Sequence, residues 1–162
     1  MARVALAEGK PAEAQAGARR AAAELQAQKL PDDQAAALAL EARAALAAGR
    51  AAEAAAPLER ARQLAAAGQQ EGARREFLLV SSIARAERGD AAGARKSLEI
   101  AISRAHEKRL IAFELEAGLT LGEVEMKGGA VAAGRARLEA VEKTAAGHGY
   151  LRIARRAREA RA

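Results

Sequence analysis

Four stretches decide how this chain folds: GKPAEAQAGARRA at residues 9–21, GRAAEAAAPLERA at 49–61, GDAAGARKSLEIA at 89–101 and GAVAAGRARLEAV at 129–141. Their opening glycines, Gly9, Gly49, Gly89 and Gly129, recur with a 40-residue period. Five positions on comes a small residue, Ala14, Ala54, Ala94 or Gly134. Positions nine and twelve are Ala18 and Ala21, Leu58 and Ala61, Leu98 and Ala101, Leu138 and Val141. Offsets of five, nine and twelve keep to one side of a 3.6-residue helix. Self-similarity at one fixed period of about 20 to 50 residues marks supersecondary units that bury their apolar faces against each other.

The stretches between these repeats have the composition of helices. Fifty of the 162 residues are alanine, and leucine, glutamate, arginine, lysine and glutamine fill most of the rest. These are strong helix formers. Of three prolines, Pro11 and Pro31 fall where a first helical turn tolerates them, and Pro57 lies within the first two turns of its helix, where distortion is expected. Alanine buries little area, so the core is expected to be thin, with stability drawn from close helix approach and many small contacts at about 25 cal/mol per Å². The bulkiest run, Phe77 to Val80 with Ile83, marks where packing should be best.

Reading along the chain gives paired helices with very short turns, which force antiparallel neighbours. The spans are about 2–8, 11–29, 32–48, 51–67, 70–88, 90–105, 110–127, 130–146 and 150 to the end. Asp32 or Asp33 is the expected N-cap of the third helix and Asp90 that of the sixth. The chain reads as one domain, with units at about 1–30, 31–69, 70–109 and 110–149 and a capping helix over 150–162. The shortened first unit suggests an unusual cap or a piece of a longer protein.

At this level of detail each unit resembles a tetratricopeptide repeat. The fourth matches at Leu121, Gly122, Gly129, Gly134, Leu138 and Val141, and the third at Gly89, Asp90, Ala94, Leu98 and Ala101. The second matches at Gly49, Ala54, Leu58 and Ala61, the first at Gly9, Ala14 and Ala21. The 40-residue period is longer than the one usual in that family, and its aromatic positions are almost all empty here. The resemblance implies an all-α solenoid of stacked antiparallel hairpins whose first helices line a concave groove. A fainter likeness runs from Leu119 to Ala157, towards the C-terminal repeat regions of large bacterial signalling proteins that carry a serine/threonine kinase or a winged-helix regulator.

Chemistry leaves few candidates. Cysteine and tryptophan are absent, so thiol chemistry and a cysteine zinc site are excluded. His106 has only the adjacent Glu107, which does not share its helix face, and reads as a helix C-terminal residue; His148, between two glycines, reads as a turn residue. No histidine is placed to activate Ser81, Ser82, Ser97 or Ser103. Gly9 and Lys10 lack the rest of a phosphate loop. The chain is read as a non-enzyme without cofactor or metal.

The resemblance maps a partner groove onto Arg43 and Leu46, then Glu76, Leu79 and Ile83, then Glu116, Leu119, Glu123 and Met126. The last four recur at three and four residues and so share one side of a helix. The expected function is binding a protein or peptide partner, or a neighbouring domain, in an apolar groove with acidic edges. The family's cationic clamp for carboxylate tails is missing apart from Arg43. The alternative is charge. The balance is +6 with a pI near 10.3, and five arginines against Glu159 give the last helix +4 of it. Arg152, Arg155 and Arg156 share a face that could neutralise phosphates of nucleic acid or another anionic surface. With only Phe77, Phe113 and Tyr150 for base stacking, nucleic acid is disfavoured. The groove glutamates and these arginines are expected on different surfaces. No signal-like or membrane-spanning stretch is present, so the reading is soluble and cytoplasmic.

Overall fold

The computed structural model describes Met1–Ala162, with 84% of the residues helical and no strand. The helices are α1 (Ala2–Ala7), α2 (Pro11–Ala27), α3 (Pro31–Ala47), α4 (Ala51–Ala67), α5 (Glu71–Glu87), α6 (Ala91–Glu107), α7 (Ile111–Lys127), α8 (Val131–Gly147) and α9 (Leu151–Arg161). The helices α2 to α8 are all of one length, and from Pro11 to Leu151 the helix starts are evenly spaced, at half the interval between the repeated glycines.

One turn, used repeatedly, sets that spacing. The residue after each helix's C-cap takes left-handed backbone angles at Gly9, Lys29, Gly49, Gly89, Arg109, Gly129 and Gly149. The following N–H then reaches back to a carbonyl five residues earlier, as in Lys10 to Ala5, Leu30 to Leu25, Arg50 to Ala45, Asp90 to Arg85, Leu110 to Ala105 and Tyr150 to Ala145, at 2.8 to 3.0 Å. This six-to-one bond closes a helix with a left-handed residue and turns the chain back at once. Lys29, read from sequence as the last residue of its helix, is such a turn residue.

The turn between α4 and α5 is the exception, and it corrects the reading of Asp32. Gly68 is extended, with φ −75° and ψ 171°. Asp32 does not cap its own helix, whose N-cap is Leu30 with no side-chain bond. Its carboxylate instead accepts from the N–H groups of Gln69 and Gln70, each at 3.4 Å. Arg74 closes the other side, donating to the carbonyls of Ala65 and Gly68 at 3.1 and 2.5 Å. Asp90, by contrast, caps α6 as expected, accepting from the Gly93 N–H at 2.9 Å. Pro57 lies buried inside α4, which runs unbroken past it.

The described residues form two compact units, Met1–Ala84 and Arg85–Ala162. The even-numbered helices bury one stripe, whereas α3 in the first unit and α7 in the second bury more of their circumference. The stripe is Ala54, Leu58, Ala61 and Ala65 in α4, Ala94, Leu98, Ala101 and Ala105 in α6, and Gly134, Leu138, Val141 and Ala145 in α8. In α2 it drifts: Ala14, Ala18 and Ala22 are buried and Ala21 only half-buried. The helix α3 buries Leu38 to Ala42 without a break, and α7 buries Ala117 to Gly122. A buried run longer than one turn requires neighbours all round.

In the first unit the core gathers Leu38, Leu46, Leu58 and Val80, with Phe77, Leu64 and Ile83 packed against it. Phe77, Leu78 and Ile83 are only half-buried, so the bulkiest run in the sequence is not the most buried one. Most of the large side chains that are wholly enclosed, Leu98, Leu119, Leu121 and Leu138 among them, belong to the second unit. There α7 and α8 approach closely through glycines. A Cβ on Gly122 would meet Leu138 at 2.7 Å, and one on Gly134 would meet the Met126 backbone nitrogen at 2.9 Å and the Gly122 carbonyl at 3.0 Å.

Candidate functional site

The residues expected to line a groove divide into core and accessible positions. Leu46, Leu79 and Leu119 are buried, with exposures of 7%, 2% and 0%, and offer a partner no surface. Ile83 and Met126 are half-buried and pack against the cores of their units. Accessible polar groups therefore carry whatever these helix faces do.

In the first unit, Arg43 on α3 pairs with Glu76 on α5 at 3.7 Å, and Arg3 reaches the other oxygen of Glu76 at 3.5 Å. In the second unit, Glu116 and Glu123 lie two helical turns apart on one side of α7, both half-buried. Glu123 accepts a hydrogen bond from Arg156 Nη2 on α9 at 3.1 Å. The Glu116 carboxylate has no ion pair or hydrogen bond within the chain, while its backbone carbonyl takes the Thr120 hydroxyl at 2.9 Å.

The Arg156 contact overturns the expectation that the groove glutamates and the terminal arginines occupy different surfaces, because Glu123 and Arg156 are partners. Other arginines of α9 are engaged in the same way. Arg158 and Arg161 both bond Glu142 on α8, at 2.7 and 2.8 Å, and Arg161 also faces Glu139 at 3.5 Å. Arg155 lies 3.6 Å from Glu159 in an exposed i,i+4 pair. Of the predicted basic patch only Arg152 is exposed without a carboxylate partner. The charge of α9 mainly fastens that helix to α7 and α8.

Two polar contacts were missed by the sequence reading. In the second unit, Glu125 is 3% exposed and takes two hydrogen bonds from Arg137, at 2.9 and 3.1 Å. The Glu125 hydrogen bonds raise the pKa of Arg137 above its ordinary value. Arg85 grips Asp90 through Nε at 2.9 Å and through Nη2, and donates to Ser97 at 3.1 Å. Arg85, and after it the Gly93 N–H, hold the Asp90 carboxyl below the usual range. Residues 85 and 97 stand at the same repeat offsets as 125 and 137, and as Ala45 with Pro57. Opposite charge at facing offsets was a legible signal for the Glu125 pair.

Ser81 and Ser82 both donate to the Leu78 carbonyl, and Ser97 to that of Gly93, so these hydroxyls are engaged with backbone. His106 Nδ1 lies 3.1 Å from Glu114 across the α6–α7 turn. No three His, Cys, Asp or Glu side chains converge to hold a metal ion. Among known proteins, the chain matches no protein family, no curated protein and no solved structure.

Proposed function

We propose that the chain is an interaction module: a tetratricopeptide-like solenoid with a 40-residue period that binds a basic segment of a protein or peptide partner on α7, within a larger cytoplasmic signalling protein. The regular helix starts and the long buried runs of α3 and α7 support the stacked-hairpin reading. The observation that carries the binding reading is Glu116. It is a half-buried carboxylate on α7 that takes no partner inside the chain, whereas its neighbours Glu123 and Glu125 are paired. Partial desolvation strengthens a hydrogen bond from an incoming lysine or arginine.

Panning a displayed random-peptide library against the full chain tests this. Peptides rich in lysine or arginine are expected, and Glu116→Lys should weaken the best of them by about tenfold or more, in line with a hydrogen bond between charged groups. Equal binding by wild type and Glu116→Lys would remove Glu116 from the site and the reading with it.

A further inference from the structure

A second surface lies at one end of the Arg85–Ala162 unit. Because α6 to α9 run alternately up and down with consecutive helices packed together, the α6–α7 turn and the α8–α9 turn lie at the same end. There the helix starts of α7 and α9 stand side by side, since these helices also touch, and packed helix axes lie about 8–10 Å apart. Three of the five exposed large apolar side chains of this unit are here: Ile111, Tyr150 and Leu151, the last 70% exposed.

Cations surround them. Arg104, Lys108, Arg109, Lys143 and Arg152 all sit at this end, all are exposed, and none of their side chains has an ion pair or hydrogen bond. Two carboxylates oppose them, Glu107, which is near Ser103, and Glu114, which is held by His106. The helix starts at Leu110 and Tyr150 have no side-chain cap, so first-turn N–H groups of α7 and α9 are open to an anion.

We propose that this end of the unit docks on an anionic phospholipid surface, with Ile111, Tyr150 and Leu151 at the headgroup boundary and the five cations on lipid phosphates and carboxylates. Charge complementarity selects an anionic occupant, and the apolar side chains distinguish among anionic occupants. A nucleic-acid backbone engages only the cations and leaves Leu151 and Ile111 in water. Turns and helix ends project, whereas a peptide-binding face is a groove or a free sheet edge. A lipid interface takes both parts, placing tyrosine at headgroup level, aliphatic side chains just beneath and arginine or lysine among the phosphates. The mode is peripheral: no helix is long and apolar enough to cross a membrane.

Flotation of the full chain with vesicles of phosphatidylcholine alone, or of phosphatidylcholine with phosphatidylserine, tests the surface. Binding is expected only to the anionic vesicles, and a single reporter, Tyr150→Trp in a chain otherwise without tryptophan, should shift its emission to the blue on binding. Removing one cation near an anionic surface should lower partitioning by about fivefold, so Lys108→Glu with Arg109→Glu should abolish it. Leu151→Ser, at unchanged charge and on a side chain too exposed to matter for folding, should also weaken it. Arg95→Glu with Lys96→Glu, the same charge change within α6 and away from this end, should retain most of it. Loss equal to that of the Lys108 and Arg109 pair would mean attraction by net charge alone. An unaffected Leu151→Ser, or stronger capture by duplex DNA that ignores Leu151→Ser, would replace the lipid with a polyanion.

Discussion

Lys29 and Arg109 adopt left-handed backbone angles, φ 57° and 54°, in turns whose counterparts elsewhere use glycine. For an L-residue with a Cβ this conformation costs about 1–2 kcal/mol. Replacement by glycine removes that strain but adds unfolded-state freedom worth about 0.5–1 kcal/mol. We therefore expect Lys29→Gly, and separately Arg109→Gly, to stabilise the chain by roughly 0.5–1 kcal/mol. Urea unfolding should show a higher midpoint at constant slope. A lower midpoint would mean that the lysine or arginine side chain contributes more than the strain costs. The glycines at 9, 49, 89 and 129 announced four of these seven turns in the sequence. At 29 and 109 no glycine marks the left-handed residue, because the six-to-one hydrogen bond and the following helix impose the same conformation on a lysine and an arginine.

Between α7 and α8 small residues set how near two helix backbones can come. Gly134 faces backbone atoms of Met126 and Gly122, which cannot move aside as a side-chain tip can. Gly134→Ala should thus destabilise by about 1–3 kcal/mol despite alanine's better helix propensity. Gly147, at the end of α8, has open space where a Cβ would go and no left-handed backbone. Gly147→Ala should stabilise by about 0.5–1 kcal/mol. Thermal unfolding of the two variants checks the contrast; the same sign for both would mean that close approach does not govern this helix pair. The buried Glu125–Arg137 contact belongs to the same layer. Loss of Arg137 would leave the Glu125 carboxylate charged in a dry place, the costly case for buried pairs, while the exposed Arg155–Glu159 pair is worth at most about 1 kcal/mol.

Across the whole chain, stability should follow how much each helix encloses. The short helix α1 buries only Ala5, and α2 buries three alanines and Gln15, whereas α3 and α7 bury more than half of their residues. Hydrogen exchange should show α1 opening first, α2 next, and α3 and α7 last; uniform protection from Ala2 to Val141 would contradict this. That ranking was partly legible, since alanine-rich segments have little area to bury. The all-helical class, the helix starts and the even-helix stripe were legible too, because they depend on local propensity and on a 3.6-residue period that any helix carries. Which odd-helix leucines are core, and that Glu123 is neutralised, was not legible, because burial of Leu119 depends on Leu138 and pairing of Glu123 on Arg156, both on other helices. Asp32 shows the same limit: a carboxylate at a helix start reads as that helix's cap, but here packing of α3 against α4 carries it to the backbone of Gln69 and Gln70. Local order follows from the chain's own spacing, and the partners of its charges follow only from which helices pack together.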